Sequence, residues 1–214
     1  MQRFLIKDTA KHIGEKVKVA GWVNTRRAHG KILFIDLRDI SGILQTVFTP
    51  SNKEVYELAG QLRPEWVVEI TGQIVKRPEQ MVNPKIETGQ VELSAESLNI
   101  LSEAQTSPIP VGEENVEEVE IDKRMDWRWL DLRKPEKLFI FKVWTTMEKA
   151  FIDYCVLNNF IEIHSPKILI TSTESGSELF EIKYFGKKAY LAQSPQLYKQ
   201  MAMAAGFEKV FEIG

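Results

Sequence analysis

The chain has 214 residues, of which 43% are hydrophobic and 27% charged, and its formal net charge is -2. That length suits one large domain or two small ones, each able to bury a core, and the charge excludes a bulk polycation of the kind that coats nucleic acid. No apolar run approaches the roughly 18 to 20 residues of a membrane span, and the lone Cys155 excludes an internal disulfide framework and fits a reducing cytoplasm.

Charge is unevenly placed. From Lys16 to Arg38 there are six Lys/Arg and one acid, Asp36; from Glu103 to Asp122 there are seven acids and no Lys/Arg. A basic surface followed by an acidic tract suits nucleic-acid docking on the first part only, although charge alone also fits an ordinary solvated face.

Residues 17–100 read as β-rich. Residues 17–23 alternate, residues 32–37 form a second strand, Asp39-Ile-Ser-Gly42 is a turn, and residues 43–48 make a third strand. Residues 52–62 switch to helical spacing, with Val55, Leu58, Ala59 and Leu62 as the apolar set. Residues 66–75 return to strand, interrupted at Gly72, and a last strand lies within 91–100. Five strands with a helix between the third and fourth is the order of an OB-fold barrel, a frequent nucleic-acid binder. Residues 101–123 carry Pro108, Pro110, Gly112 and the acid run, lack an apolar period, and read as a solvated connector.

Beyond Pro135 the period changes. Ile140, Trp144, Met147, Phe151 and Tyr154 make one helical stripe, and the helix should end near Asn158 and Asn159, asparagine being tolerant of the left-handed conformation. A strand over 160–163 stops before Pro166. A short strand follows at 190–191, a helix from Ser194 to about Ala205, and a strand at 210–213. This second part reads as an unfinished α/β domain.

Three constellations could carry chemistry. Phe34 lies mid-strand, with Arg26, Arg27, His29 and Lys31 before it, Arg38 after it and Gln45 on the next strand. Such a ring can stack a splayed base while cations hold phosphates, but alternation leaves open whether Phe34 faces the core. Gln196 and Lys199 share a helix face and offer an amide and a cation to a carboxylate, or are a solvated face. Residues 171–178 are small, with Glu174 and Glu178, and are either a surface loop or one that closes on a ligand. The histidines His12, His29 and His164 lack metal-ligand spacing, and no P-loop or HExxH occurs.

Six stretches in order carry a resemblance: Val19-Ala-Gly-Trp-Val23, Phe34-Ile-Asp-Leu-Arg-Asp39, Arg128-Trp-Leu-Asp-Leu-Arg133, Asn159-Phe-Ile-Glu-Ile-His-Ser-Pro-Lys167, Thr173-Glu-Ser-Gly-Ser-Glu-Leu-Phe180 and Gln193-Ser-Pro-Gln-Leu-Tyr-Lys199. Together they resemble the class IIb aminoacyl-tRNA synthetases, most closely the aspartyl-tRNA synthetases with an archaeal-type catalytic domain. The resemblance implies an α+β chain. An OB-fold anticodon-binding domain would take residues 1–102, a linker or hinge 103–134, and the start of the antiparallel-sheet catalytic domain 135–214.

It also implies roles. Phe34 would stack an anticodon base, with Arg26, Gln45, Asn83 and Glu92 contacting the anticodon. His29 and Lys85 lie where a choice between aspartate and asparagine tRNA would be made. Glu174 would meet the ammonium of aspartate, Gln196 and Lys199 its carboxylates, and Lys199 would favour aspartate over asparagine. Pro166 would end motif 1 at a homodimer interface, where Asn159 stands for the usual glycine. The implied reaction uses ATP and Mg2+ to make aspartyl-adenylate and then charges tRNA. Motif 2 and motif 3 are not in this sequence, so the chain as it stands is expected to lack that activity. The alternatives are an asparaginyl-tRNA synthetase, against which Lys199 argues, and a free-standing tRNA-binding module without catalysis.

Overall fold

The computed structural model describes residues 2–112, 119–170 and 179–214. The chain divides into two compact units, Met1–Leu138 and Phe139–Gly214.

In the first unit five strands close a barrel in the order β1-β2-β3-β5-β4. They are β1 (Lys16–His29), β2 (Ile32–Asp39), β3 (Gly42–Phe48), β4 (Val67–Lys76) and β5 (Val91–Ser102), and helix α1 (Lys53–Gln61) lies between β3 and β4. Five strands with a helix between the third and fourth is the sequence of elements the residue pattern predicts. Alternate residues of each strand, among them Val17, Val19, Leu33, Ile35, Leu37, Leu44, Ile70, Ile74 and Leu93, fill the interior. Burying each such side chain is worth about 1.5 to 3 kcal/mol. Asn52 caps α1 by accepting from the Val55 N–H at 3.3 Å, and Ala59 and Leu62 bury the helix's apolar face.

Gly72 is a close approach rather than a break between strands. A Cβ there would sit 2.0 Å from the Ser94 carbonyl oxygen, where the β4–β5 register shifts. Two features escape the sequence reading. β1 runs six residues past the expected end at Val23, carrying Arg26, Arg27 and His29 on a strand. A 3-10 turn at Ile6–Lys11 places the fully buried Ile6 in the barrel core.

The expectation of a solvated connector needs correction. Ile109, Val111 and Leu130 are buried together, and α2 (Ile121–Asp126) and α3 (Arg128–Asp131) follow. Single apolar residues spaced by prolines bury without producing a period, so the pattern gave no warning.

Most of α4 (Pro135–Leu157) lies in the second unit, and Asn159 just beyond it, at a φ of 62°, is the expected left-handed turn. Strands β6 (Ile161–Glu162) and β10 (Val210–Phe211) pair in parallel. β7 (Ile168–Leu169), β9 (Lys187–Leu191) and β8 (Glu181–Tyr184) form an antiparallel sheet in that order. Helix α5 (Gln196–Ala202) precedes a wider turn through Gly206. The α4 stripe stays largely exposed: Trp144 is 62% and Met147 64% accessible, while Phe151 meets Phe211 edge-on at 6.1 Å.

Candidate nucleic-acid interface and amino-acid site

Phe34 stands outside the barrel core. Its neighbours Leu33 and Ile35 point inward and are buried, whereas Phe34 and Asp36 alternate outward and are half-buried. The antiparallel register sets Arg27 and Val47 opposite Phe34, and Thr25 and Gln45 opposite Asp36. Arg27 Nη2 donates to both Asp36 carboxylate oxygens, at 2.9 and 2.8 Å, and Thr25 Oγ1 donates to the same group at 2.7 Å. Gln45 Nε2 donates to Glu92 Oε2 at 2.9 Å.

Behind Glu92 lies Arg77, which the sequence reading did not single out. Its Nε donates to the Val91 carbonyl at 3.0 Å and stands 3.7 Å from Glu92. Burial pulls the Arg77 pKa down from its ordinary value, and the Glu92 carboxylate opposes this. A half-buried ring turned outward, on the strand face that also carries the Asp36 carboxylate and, opposite it, the Gln45 amide, is suited to stacking a base and reading its edge.

Arg26 is not part of this face. It pairs with inward-pointing Ile35, and its Nη1 donates to the Gly60 carbonyl at 2.6 Å, at the end of α1. A register shift between Val23 and Thr25 decides which arginine flanks Phe34, and it selects Arg27. Asn83 sits in the β4–β5 connection, its Oδ1 accepting from the Lys85 N–H at 3.0 Å. Thr88 in the same connection donates to the Ile43 carbonyl on β3. Gly89 lies so near that a Cβ would be 1.8 Å from the Asn83 carbonyl oxygen. His29 is at the exposed end of β1.

In the second unit Gln196 opens α5, its N–H donating to Ser194 Oγ at 3.1 Å, and Lys199 follows within one turn. Gln196 is exposed and Lys199 half-buried, and no carboxylate among the described residues pairs with the Lys199 ammonium. Glu174 lies outside the described residues. Pro166 is exposed between two residues held by one carboxylate. Glu212 Oε1 accepts from the Ser165 N–H at 3.1 Å, from Ser165 Oγ at 2.9 Å and from Lys167 Nζ at 2.5 Å. Lys167 foremost, and Ser165 with it, hold the Glu212 carboxyl down at about 2 against the opposing effect of burial. This tie between the strand end at Phe211 and the chain at Pro166 had no signal in the sequence, because its members lie 45 residues or more apart.

Residues 17–101 match the family model described as OB-fold nucleic acid binding domain, and residues 120–214 match the tRNA synthetases class II (D, K and N). The aspartate–tRNA(Asp/Asn) ligase of Archaeoglobus fulgidus is 44% identical over 203 residues, 94% of this chain and 45% of that protein. The aspartate–tRNA(Asp) ligase of Thermococcus kodakarensis is 44% identical over 203 residues, 94% of this chain and 44% of that protein. Among solved structures, asparaginyl-tRNA synthetase from Pyrococcus horikoshii complexed with asparaginyl-adenylate is similar at TM-score 0.86 and 31% identity, over all of this chain and 48% of that one. A putative aspartyl-tRNA synthetase from Leishmania major Friedlin is similar at TM-score 0.87 and 29% identity, over all of this chain and 43% of that one. The chain thus spans less than half the length of these relatives. An OB-fold barrel of the nucleic-acid-binding kind therefore precedes a class II tRNA synthetase domain, and residues 120–214 belong to the class II synthetases of the D, K and N type.

Proposed function

We propose that this chain is the anticodon-binding and amino-acid-binding part of an aspartate–tRNA ligase. In the complete enzyme a carboxylate oxygen of aspartate attacks the α-phosphorus of ATP and pyrophosphate leaves. A hydroxyl at the tRNA 3′ end then attacks the adenylate carbonyl and AMP leaves. The observation that carries the choice of aspartate is the Lys199 ammonium, unpaired among the described residues and one turn from the Gln196 amide. A cation there compensates a side-chain carboxylate and has nothing to pair with on an uncharged asparagine amide. The similar structures include asparaginyl enzymes, so fold alone does not choose; the 44% identity to aspartate ligases agrees with the lysine.

On this reading Phe34 stacks an anticodon base while Gln45, Glu92 and Asn83 read base edges, and Arg26 serves at the rim of the barrel near α1. Glu174 receives the amino-acid ammonium. Pro166 and the exposed stripe of α4 form the homodimer interface, and the enzyme works in the cytoplasm; no described helix is long and apolar enough to cross a membrane. ATP and Mg2+ belong to the same reaction. Among the described residues no group of three His, Cys, Asp or Glu could hold a metal ion, so no step through the ion is assigned to them.

The test is charging of tRNA by the full-length protein with labelled aspartate, asparagine or lysine in parallel. Aspartate alone should be esterified; charging with asparagine at a comparable rate would overturn the assignment.

A further inference from the structure

Glu65 is a buried carboxylate that the reading above does not use. It is 7% accessible and lies in a tight turn before β4, at a φ of 68°, with its N–H donating to the Val23 carbonyl at 2.8 Å. Its two oxygens are divided between two arginines. Arg38 Nη2 donates to Oε1 at 2.7 Å, and Arg133 Nη1 donates to Oε2 at 2.6 Å. Both guanidinium groups also flank the Trp22 ring, at 5.8 and 5.3 Å from its centroid, and Arg133 lies 5.4 Å from the ring of Trp129. Arg38 Nη1 donates to Asn24 Oδ1 at 2.8 Å, and Asn24 Nδ2 donates to the Gly112 carbonyl at 3.2 Å. A Cβ at Gly112 would lie 2.3 Å from Asn24 Oδ1, so any larger residue there would displace the Asn24 amide.

The two arginines belong to different parts of the first unit. Arg38 is on β2, four residues along the strand from Phe34 and on the same side. Arg133 is in the segment through which the chain leaves, two residues before α4 begins at Pro135. A buried ion cluster adds little net stability over an apolar cluster of equal volume. What it does supply is direction, because each charge-assisted bond fixes an orientation that apolar packing leaves looser.

We propose that Glu65 is a positioning residue for the tRNA-charging step. By holding Arg38 of the anticodon-face strand and Arg133 of the departing segment in one carboxylate, it fixes the point at which the chain leaves the barrel relative to the anticodon face. The chemistry at the far end of the tRNA depends on that fixed point, whereas anticodon affinity and amino-acid activation do not. The proposal rests on the ligase reading above.

The experiment compares Glu65→Gln and Arg133→Met with the parent in the full-length ligase. In both variants kcat for tRNA charging should fall about tenfold, while KM for tRNA and the rate of aspartate-dependent pyrophosphate exchange stay within about twofold, because a 1 Å misplacement alone can cost ~10²-fold in rate. Arg133→Met leaves the Arg38–Glu65 pair in the barrel, so it decides the matter if Glu65→Gln fails to fold. An unchanged charging kcat in Arg133→Met overturns the proposal, as does a loss confined to KM or to pyrophosphate exchange. A parent enzyme that charges no tRNA with aspartate sinks the ligase reading itself, a result distinct from either.

Discussion

Replacing Phe34 by alanine separates a binding surface from a core. Phe34 lies outward on β2 between Leu33 and Ile35, both of which are buried. Its ring is half-buried, so truncation forfeits only part of a burial term and leaves no closed cavity. Ile35, fully buried, is the internal comparison: Ile35→Ala should cost about 2 to 5 kcal/mol of stability, and Phe34→Ala should fall well below that. For RNA the order reverses. A stacking ring is worth about 1 to 3 kcal/mol per base, roughly 5- to 150-fold in Kd. The assay is a filter-binding titration of an aspartate-tRNA anticodon stem-loop at fixed salt, repeated at several salt concentrations, with a urea melt on the same preparations. Phe34→Ala should weaken binding within that range, keep the parent's slope against salt because no phosphate contact is lost, and move the urea midpoint little. Parent-like RNA affinity would refute the stacking role, and a stability loss as large as that of Ile35→Ala would refute its placement outside the core.

Much of the barrel was legible because its signals are local. Two-residue alternation, the turn at Asp39-Ile-Ser-Gly42 and the apolar spacing of Val55, Leu58, Ala59 and Leu62 each need only a short window. The left-handed turn at Asn159 was legible for the same reason. What stayed hidden depends on pairing. Which of Arg26 and Arg27 flanks Phe34 is set by a register shift between Val23 and Thr25, and a one-residue slip exchanges the faces. The 3-10 turn that seats Ile6 in the core has no period to detect. Arg77 behind Glu92 and the Arg38–Glu65–Arg133 cluster join residues far apart in the chain. Charged residues in a sequence read as solvated until a partner is known, and the partner is a property of the fold. The same holds for Ile109 and Val111, whose spacing by prolines conceals their burial.

Three further outcomes are expected. Gly72→Ala should destabilise the barrel by about 1 to 3 kcal/mol in a urea melt, since its Cβ would lie 2.0 Å from the Ser94 carbonyl oxygen on a paired strand; a parent-like midpoint would show that the bulge relaxes freely. Lys199→Leu in the full-length protein should depress aspartate-dependent pyrophosphate exchange by about 10²-fold or more while changing the KM for ATP little; parent-like exchange would remove Lys199 from the site. The last concerns acid. Glu212 titrates at about 2 in the folded chain, against 4.5 for an unperturbed glutamate, chiefly because the Lys167 ammonium and the Ser165 N–H and hydroxyl stabilise its charged form. A lowered folded pKa means that the unfolded chain binds the proton first as pH falls. The contribution of this tie is therefore fully present above about pH 4.5 and is lost progressively down to about pH 2. Urea unfolding followed by the amide NMR signals of residues 179–214 should show stability of the second unit declining across that window, with a shallower decline in Glu212→Gln, whose amide does not titrate. Carbon-13 NMR of the Glu212 carboxyl reads the same quantity directly: a titration midpoint near 4.5 would mean that the Lys167–Ser165 tie between the Pro166 turn and the end of β10 does not persist in solution.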